Sequence, residues 1–290
     1  MNGISIIIPT YNEEKAILST IRELHETMKT SMIPYQIVIV NDCSKDRTRE
    51  ILESNGGGEG LGVTLVHHDM NRGYGASIKT GSRYAKYDTL CITDSDGTYP
   101  NARIPDLYAD MEGHDMVVGA RIGENVKIPW LRRVPKAFIN ILASYVSEVK
   151  IPDLNSGLRV FTKELFDKYF SLYPNGFSLT STITLAALTN GYAVKYVKID
   201  YFKREGSSKI RPIKDTMNFI MLILRMCVLF NPLRIFIPLS IGLFLLGTGI
   251  LVWGLAVPGK FYDGTFIMLF LSAIQFFCMG LIADAISRRE

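Results

Sequence analysis

Two aspartates one residue apart are the first feature that suggests chemistry. They lie in the segment TDSDGTYP, Thr93–Pro100, directly after the apolar run YDTLCI. Aspartate and glycine are also common in turns, so a plain turn is one interpretation of this segment. In an extended chain, however, alternate residues face the same side, so Asp94 and Asp96 can converge on one cation. Their hard carboxylate oxygens suit Mg²⁺ or Mn²⁺ and not Zn²⁺, and Gly97 keeps the backbone beside them uncrowded.

The elements that must hold these acids alternate between strand and helix patterns. Buried-strand runs are predicted at Ile4–Thr10, Tyr35–Asp42, Val63–Asp69 and Asp88–Asp96. Helical segments are predicted at 12–30, 44–55 and 73–85. The first of these helices has Asn12 as a candidate N-cap. Strands separated by helices predict an α/β fold with a doubly wound, mainly parallel sheet.

One edge of this predicted sheet collects four acids. In doubly wound sheets, ligands bind beyond the carboxyl ends of the strands. The strand ends at that edge carry Glu13, Asp42, Asp94 and Asp96. None of these strand ends carries a G-x-G-x-x-G or a G-x-x-x-x-G-K segment, which argues against a dinucleotide or P-loop site at this edge. The acids instead suit a divalent cation that holds a diphosphate, with one or two acids left for a nucleoside.

The C-terminal part of the chain contains two long apolar runs. Ile235–Val257 has 23 residues without a charge, and Thr265–Ala283 has 19 more. A helix of the first length is about 35 Å long, which is enough to cross a bilayer. We therefore predict two spans, at about 235–257 and 265–286, joined by the short turn Pro258–Gly264. A buried helical hairpin in a soluble core is the alternative.

Basic residues predict how the spans are oriented. Arg234 precedes the first span and Arg288 follows the second, whereas the turn has only Lys260 against Asp263. The positive-inside rule then puts the large N-terminal part and both termini in the cytoplasm. The predicted domains are an α/β domain at 1–210, a juxtamembrane amphipathic helix at 211–232 and a transmembrane hairpin at 233–290.

Two further segments suggest amphipathic helices at the membrane interface. In Arg211–Pro232, apolar residues recur at helical spacing and polar residues fall mostly elsewhere on the wheel. Pro129–Val149 places Trp130 beside basic residues, which suits a lipid headgroup region. We predict that both segments lie in the interface, so that a lipid bilayer is one partner. A core helix of the domain is the alternative for Arg211–Pro232.

Charge, cysteine and histidine content argue against other classes of protein. Lysine and arginine total 32 and aspartate and glutamate total 28, a net charge of +4 that is too small to indicate nucleic-acid binding. The four cysteines are scattered without a C-x-x-C pair, which argues against zinc or a disulfide framework and fits a reducing compartment. The four histidines have no metal-ligand spacing, so we interpret them as structural or surface residues.

Seven motifs, taken in order, resemble a family-2 glycosyltransferase of the GT-A fold. They are IIIPTYNEE, IVIVNDCSKDRT, NRGYGASIKTG, TDSDGTYP, GAR, DLNSGLRVF and REGSSKI, and they cover about residues 4–210. Each motif is weak alone, but seven in one order are specific. More narrowly, the chain resembles the polyprenyl-phosphate glycosyltransferases, such as dolichyl-phosphate mannose synthases. Some members of that group also carry a C-terminal membrane hairpin.

The resemblance implies a role for individual residues. It implies a nucleotide pocket formed by Pro9, Tyr11, Glu13, Asp42, Lys79, Asp94 and Ser95. Asp94 and Asp96 would form the catalytic D-x-D motif that binds Mg²⁺ or Mn²⁺. The donor diphosphate and the acceptor phosphate would face Arg121, Ser156, Arg204 and Lys209. Thr98 stands where many relatives have Gln or Asn, and Pro152 where some have Arg, so both depart from the family pattern.

A lipid phosphate acceptor needs cations more than it needs a base. It is already an anion and can attack the anomeric carbon of a sugar, but it must approach an anionic donor. The segment Tyr201–Lys214 supplies five cations against Glu205, although a solvated loop near acidic lipids would have the same composition. Asp153 is the remaining catalytic candidate, as a base, as the carboxylate that orients a basic partner, or as a helix cap.

Together these patterns predict inverting transfer of a single sugar to dolichyl or undecaprenyl phosphate at the cytoplasmic membrane face. The donor would be a nucleotide-sugar, and a UDP-sugar is favoured. One alternative is a GDP-mannose-dependent dolichyl-phosphate mannose synthase. A processive polysaccharide synthase would carry a Q-x-x-R-W motif, which the chain lacks. An alternative from another class is a non-catalytic membrane protein that binds a nucleotide-sugar or lipid carrier, and homo-oligomerisation stays open.

Overall fold

The computed structural model of the 290-residue chain describes residues 2–54, 62–126, 140–176, 178–202, 212–257 and 263–287. The backbone divides into two compact units, Met1–Phe219 and Ile220–Glu290. The first unit is built on a β-sheet and the second on long helices.

One seven-stranded sheet with the order β3-β2-β1-β4-β6-β5-β7 forms the centre of the first unit. Its strands are β1 Ile4–Thr10, β2 Tyr35–Asn41, β3 Thr64–His67, β4 Thr89–Ile92, β5 Met116–Val126, β6 Arg159–Thr162 and β7 Val194–Tyr201. The pairs β3-β2, β2-β1, β1-β4 and β5-β7 are parallel, whereas β6 runs antiparallel to β4 and β5. The predicted α/β fold with a mainly parallel sheet is confirmed.

Apolar patterning accounts for the middle of this sheet. The β1 segment ISIIIPT is buried along its whole length, and β2 and β4 end in buried residues. Strands covered on both faces need apolar side chains at nearly every position, which is why these runs do not alternate with polar residues. Ile6 and Ile8 of β1 share one hydrophobic core with Ile37, Cys91 and Val160 from other strands.

Helices connect these strands, and the first begins later than predicted. The helices of the first unit are α1 Ile17–Ser31, α2 Thr48–Ser54, α3 Tyr74–Arg83, α4 Ile104–Ala109, α5 Lys163–Lys168 and α6 Leu179–Thr189, and residues 140–147 are also helical. The prediction of Asn12 as the N-cap of the first helix is therefore wrong. Asn12 has a φ of +54°, its N–H donates to Ser44 Oγ (2.9 Å), and its Oδ1 accepts the N–H of Lys45 (2.7 Å). These bonds commit Asn12 to joining two loops.

The antiparallel strand β6 brings a distant segment to the edge where the acids lie. Arg159, the first residue of β6, pairs with Ile92 at the end of β4 and with Val118 of β5. The segment 153–158, which leads into β6, therefore runs beside the exit of β4. We call this segment the 153–158 loop.

The second unit contains the end of α7 Pro212–Phe230 together with α8 Leu233–Ala256 and α9 Asp263–Ser287. α8 and α9 have 24 and 25 residues, so each is about 36 Å long and apolar enough to cross a membrane. They correspond to the two predicted spans, while residues 258–262 of the predicted turn lie outside the described residues. Most large apolar side chains on both helices are exposed, which does not fit a buried hairpin in a soluble core.

Glycines let α8 and α9 approach closely. A Cβ at Gly280 would lie 2.7 Å from Phe236 Cβ, and one at Gly247 would lie 3.3 Å from Leu269 Cβ. Ser240 Oγ donates to the Ala273 carbonyl across the same contact (2.8 Å). A larger residue at position 280 would have to move the helices apart.

The two segments predicted to lie at the membrane interface both carry exposed apolar side chains. On α7, Met217, Leu224 and Val228 are exposed, whereas Cys227 is buried. In the second segment, Ile141 and Tyr145 lie four residues apart on the 140–147 helix and are 69% and 50% exposed. Residues 129–139 of that segment lie outside the described residues.

Candidate active site

Asp42 directly follows β2, and three neighbouring groups hold its carboxylate. Its Oδ1 accepts the N–H of Arg72 (2.8 Å) and lies 2.8 Å from His68 Nδ1. Its Oδ2 accepts the N–H of Gly73 (2.8 Å). Because these contacts fix both carboxylate oxygens, Asp42 has one orientation at the strand end. The same contacts fasten the 71–73 turn, which leads into α3, to the edge of the sheet.

His68 is a site residue that the sequence interpretation missed. It is buried, and its second ring nitrogen, Nε2, lies 2.9 Å from Thr80 Oγ1. The imidazole therefore bridges Asp42 and α3. Metal-ligand spacing among the histidines gives no sign of a pair in which one histidine orients a carboxylate 26 residues away. The available signal was weaker: His68 directly follows β3, the strand next to β2.

The β1 end brings the predicted nucleotide residues to the same edge. Pro9 lies in β1, and its carbonyl accepts a hydrogen bond from Ser95 Oγ (3.3 Å). Glu13 is buried, and its N–H donates to Thr48 Oγ1 (2.8 Å) at the start of α2. Tyr11 is half-buried between them in the chain. These residues share one edge with Asp42, as the strand pattern predicted.

Asp94 and Asp96 follow β4 on that edge. Tyr74, the first residue of α3, donates from its hydroxyl to Asp94 Oδ1 (3.2 Å). Asp96 is only 6% exposed, and its Oδ1 accepts both the hydroxyl (2.6 Å) and the N–H (3.2 Å) of Thr98. Thr98 thus orients the second aspartate, which gives a structural use to the position that departs from the family pattern. Gly97, between Asp96 and Thr98, has a φ of +69°, a conformation that favours glycine.

Arg121 of β5 and Asp153 of the 153–158 loop form a bidentate ion pair. Arg121 Nε donates to Asp153 Oδ2 (2.7 Å) and Nη2 donates to Oδ1 (3.0 Å). The N–H of Arg121 also donates to Oδ2 (3.0 Å). Burial alone lowers the pKa of the Arg121 guanidinium, but Tyr99 and Asp153 outweigh it, so the pKa lies well above its ordinary value. Of the three roles open to Asp153, this geometry matches the carboxylate that orients a basic partner.

Aromatic rings and one glycine connect this ion pair with the D-x-D motif. The Arg121 guanidinium lies 5.2 Å from the centre of the Tyr201 ring, which packs edge-on against Tyr99 at 5.3 Å. Tyr99 Oη accepts the N–H of Gly157 (2.6 Å). A Cβ at Gly157 would lie 3.1 Å from Asp94 Oδ2. The 153–158 loop therefore holds Arg121 through Asp153 and passes close to Asp94 at Gly157.

Other predicted residues lie elsewhere or outside the described residues. Ser156 Oγ donates to the Gly119 carbonyl, so this hydroxyl fastens the loop to β5. Lys79 Nζ donates to the Tyr173 carbonyl and to Asn175 Oδ1 (3.3 Å). These contacts join α3 to the 173–175 segment, and the nucleotide contact of Lys79 stays a prediction. Arg204 and Lys209 lie in 203–211, outside the described residues.

Asp94 and Asp96 could offer a divalent cation two carboxylates rather than a complete cage. Within the described ranges, no group of three His, Cys, Asp or Glu side chains is arranged to hold an ion. An ion held by Asp94 and Asp96 would need further oxygen ligands, and a diphosphate offers them. The donor set fits Mg²⁺ or Mn²⁺ that binds together with a phosphorylated ligand.

Comparison with protein families matches two parts of the chain. The family described as Glycosyl transferase family 2 matches residues 5–170, more than half of the chain. The family described as GtrB C-terminal hairpin matches residues 231–288, which contain α8 and α9. The two long apolar helices and this hairpin match identify a membrane protein with two spans.

Similar curated proteins cover nearly the whole chain. The undecaprenyl-phosphate 4-deoxy-4-formamido-L-arabinose transferase of Pseudomonas fluorescens is 28% identical over 98% of this chain and 85% of its own length. The transferase of the same name from Proteus mirabilis is 27% identical over 99% of this chain and 89% of its own length.

Solved structures share the fold at lower identity. Glucosyl-3-phosphoglycerate synthase of Mycobacterium tuberculosis, crystallised with Mn²⁺, UDP and phosphoglyceric acid, superposes with a TM-score of 0.60. It is 18% identical and covers 78% of each chain. The likeness supports the GT-A type of fold.

Proposed function

The chain belongs to glycosyltransferase family 2, and on that basis we propose that it transfers one sugar from a nucleotide-sugar to a polyprenyl phosphate. The observation that carries the proposal is that the 153–158 loop binds Arg121 through Asp153 and passes close to the D-x-D residue Asp94 at Gly157. The loop thus lies between the D-x-D carboxylates, which suit a metal-bound diphosphate, and the Arg121 guanidinium, which suits a second phosphate.

The donor side is assigned to the edge formed by β1, β2 and β4. Asp42 would contact the base or ribose, because its carboxylate is fixed at the strand end beside Pro9 and Tyr11. We infer a UDP-sugar, and the UDP in the M. tuberculosis synthase of similar fold supports this choice. GDP-mannose is the alternative donor.

A divalent cation would be held by Asp94 and Asp96 together with the donor diphosphate. Bound there, Mg²⁺ or Mn²⁺ would supply Lewis-acid stabilisation of the leaving diphosphate. The chain itself prepares this edge, since Tyr74 and Thr98 fix the two carboxylates. The Mn²⁺ in the synthase of similar fold supports a divalent metal without deciding between the two ions.

The acceptor side is assigned to Arg121. Asp153 occupies the Nε and Nη2 edge of its guanidinium and turns the fork in one direction. A phosphate oxygen of the lipid attacks the anomeric carbon opposite the leaving group, a new C–O bond forms, and the nucleoside diphosphate departs with the electron pair of the broken bond. This displacement inverts the anomeric centre. Because the acceptor oxygen is already anionic, no residue has to remove a proton from it.

The lipid is inferred from the relatives and from the membrane elements. The similar transferases carry undecaprenyl phosphate in their names. The exposed apolar sides of α7 and of the 140–147 helix suit a membrane interface, next to which a lipid phosphate is available. Arg225 lies in α7 and Arg234 in the first turn of α8, so the positive-inside rule favours a cytoplasmic catalytic unit with both termini on that side.

A donor panel tests this proposal directly. The purified full chain is incubated with undecaprenyl or dolichyl phosphate, Mg²⁺ or Mn²⁺, and radiolabelled UDP-sugars, including UDP-4-deoxy-4-formamido-L-arabinose, and GDP-mannose. We expect a lipid-linked sugar from one donor, and we expect Asp96→Asn to abolish its formation. Absence of a lipid-linked product across the panel would contradict the proposal. Donor binding without turnover would instead favour a non-catalytic carrier-binding protein.

A further inference from the structure

Arg159 is a buried cation that the proposed reaction does not use. Its side chain is fully buried at the start of β6. Nε donates to the Ser156 carbonyl (3.1 Å), and Nη1 donates to the Thr180 carbonyl (2.7 Å) and to Thr184 Oγ1 (2.9 Å). Nη2 donates to the carbonyls of Leu154 (3.5 Å) and Ser156. Every one of these acceptors is a neutral oxygen.

A buried cation that is bonded only to neutral oxygens contributes less to stability than apolar packing in the same space would. Removing a charge from water costs several kcal/mol even after relaxation, and apolar residues of similar volume often replace buried ions without loss of stability. Burial also lowers the pKa of Arg159, although an arginine keeps its proton in proteins. The use of Arg159 therefore has to be sought in what its hydrogen bonds hold in place.

The hydrogen bonds of Arg159 hold the backbone of the 153–158 loop. Two of the carbonyls that it binds, those of Leu154 and Ser156, lie in this loop. The other acceptors belong to α6, whose residues from Leu179 to Leu188 are all buried. The guanidinium thus fastens the loop to a helix that is itself fixed in the core.

The loop held in this way carries the contacts of the acceptor side. Asp153 directly precedes Leu154 and holds the guanidinium of Arg121 (2.7 and 3.0 Å). A change in the carbonyl direction at Leu154 would therefore move the carboxylate that aims Arg121.

We propose that Arg159 is a positioning residue for the acceptor: it sets the backbone at 154–156, and through it the Asp153–Arg121 pair. The word acceptor here rests on the proposed function, whereas the ordering of the loop does not. An arginine is required because its planar fork offers donors in three directions at once. A lysine would keep the charge but has one nitrogen, which cannot reach both the loop and α6 in the same geometry.

The decisive variant is Arg159→Lys, with Arg103→Lys as the matched control. Arg103 is exposed and pairs with Asp106 through Nε (3.2 Å), so the same substitution there removes a surface contact only. Amide hydrogen exchange of the full chain in detergent gives a readout that does not depend on turnover. We expect amides of the 153–158 loop to exchange about tenfold faster in Arg159→Lys, as for a loss of ~1.4 kcal/mol in local stability, while β1 and β2 keep wild-type exchange.

Kinetics then separate positioning from general damage. Where wild type turns over with polyprenyl phosphate, Arg159→Lys should raise the KM for the lipid about tenfold and leave the donor dissociation constant within about twofold. Unchanged exchange in the loop would overturn the inference. An equal loss of donor and lipid affinity would also overturn it, because a merely structural residue would affect both.

Ser181→Ala provides a second route if Arg159→Lys fails to fold. Ser181 Oγ donates to Asn155 Oδ1, a neutral tie between α6 and the same loop. Its loss should raise exchange in the loop and the KM for the lipid in the same direction by a smaller factor, and no change in either would overturn the inference. A wild-type chain with no activity on any donor would contradict the proposed function. The exchange measurement would then still decide whether Arg159 orders the 153–158 loop.

Discussion

Replacement of Asp153 by asparagine tests the Arg121–Asp153 ion pair, to which we assign the acceptor side. Asp153 is fully buried and accepts three hydrogen bonds from Arg121, at 2.7, 3.0 and 3.0 Å. Asparagine keeps the shape but presents one amide group that cannot accept, so the fork loses at least one bond and its neutralising charge. Removing one partner of a buried pair typically costs ~3–5 kcal/mol. Because the Arg121 side chain is 15% exposed, we take the lower end, about 3 kcal/mol.

This loss should be visible as a lower melting temperature. For a unit of roughly 200 residues, each kcal/mol corresponds to about 2–4 °C, so Asp153→Asn should lower Tm by about 6–12 °C. The assay is thermal unfolding of the full chain in detergent, together with initial rates against lipid phosphate concentration. We expect the KM for the lipid to rise as well, because the guanidinium loses its fixed direction.

Asp106→Asn is the matched control for this experiment. It removes the carboxylate of another aspartate–arginine pair, but the Asp106 side chain is 62% exposed and meets Arg103 Nε at 3.2 Å. Exposed pairs contribute ~0–1 kcal/mol, so Tm should change by no more than a few degrees. If both variants shifted Tm equally, or if Asp153→Asn kept the wild-type Tm and lipid kinetics, the assignment of Asp153 as the residue that orients Arg121 would be refuted.

Three further predictions concern the D-x-D edge and the thiols. Gly157→Ala should lower the turnover rate, and it should lower Tm by a few degrees, because the new Cβ would lie 3.1 Å from the Asp94 carboxylate. In the control variant Gly176→Ala the new Cβ meets open space, so turnover and Tm should resemble those of wild type. Tyr74→Phe removes one donor to that carboxylate (3.2 Å) and should weaken Mn²⁺-dependent nucleotide binding, seen by calorimetry, at nearly unchanged Tm. Burial raises the pKa of the Cys91 thiol, so Cys91 should resist thiol reagents until the protein unfolds. Half-buried Cys43 should react with the same reagents, and bound UDP should slow the labelling of Cys43. Equal labelling of the two thiols, or no protection by UDP, would contradict the third prediction.

The parallel half of the fold was predictable because its signals are local. Each of β1 to β4 is an apolar run, and each run ends at a polar segment that falls on the same edge. Strand β6 was not predictable in the same way. RVFT is four residues long, and its place between β4 and β5 follows from pairing with strands that lie about 70 and about 40 residues earlier in the chain rather than from its own pattern.

The site was predictable as a set of residues but not as a set of contacts. Periodicity and motif order led to Asp42, Asp94 and Asp96, yet sequence spacing does not pair these acids with the residues that hold them, His68, Tyr74 and Thr98. The helix start at Ile17 was missed for a related reason. A capping preference is a local tendency. Asn12 instead forms hydrogen bonds with a loop more than 30 residues away, so it does not cap the helix.

Two arginines of the same unit show why residue type alone could not assign these roles. Arg121 pairs with a carboxylate and keeps part of its side chain exposed, so it can still meet an incoming anion. Arg159 is closed in on every side by carbonyl and hydroxyl oxygens, so a ligand cannot reach it without unfolding the loop. Burial separates a cation that can bind phosphate from one that can only shape the binding site, and burial is set by the placement of β6 and α6. That placement is non-local, which is why the motif DLNSGLRVF contains Arg159 but does not show that this arginine holds the loop.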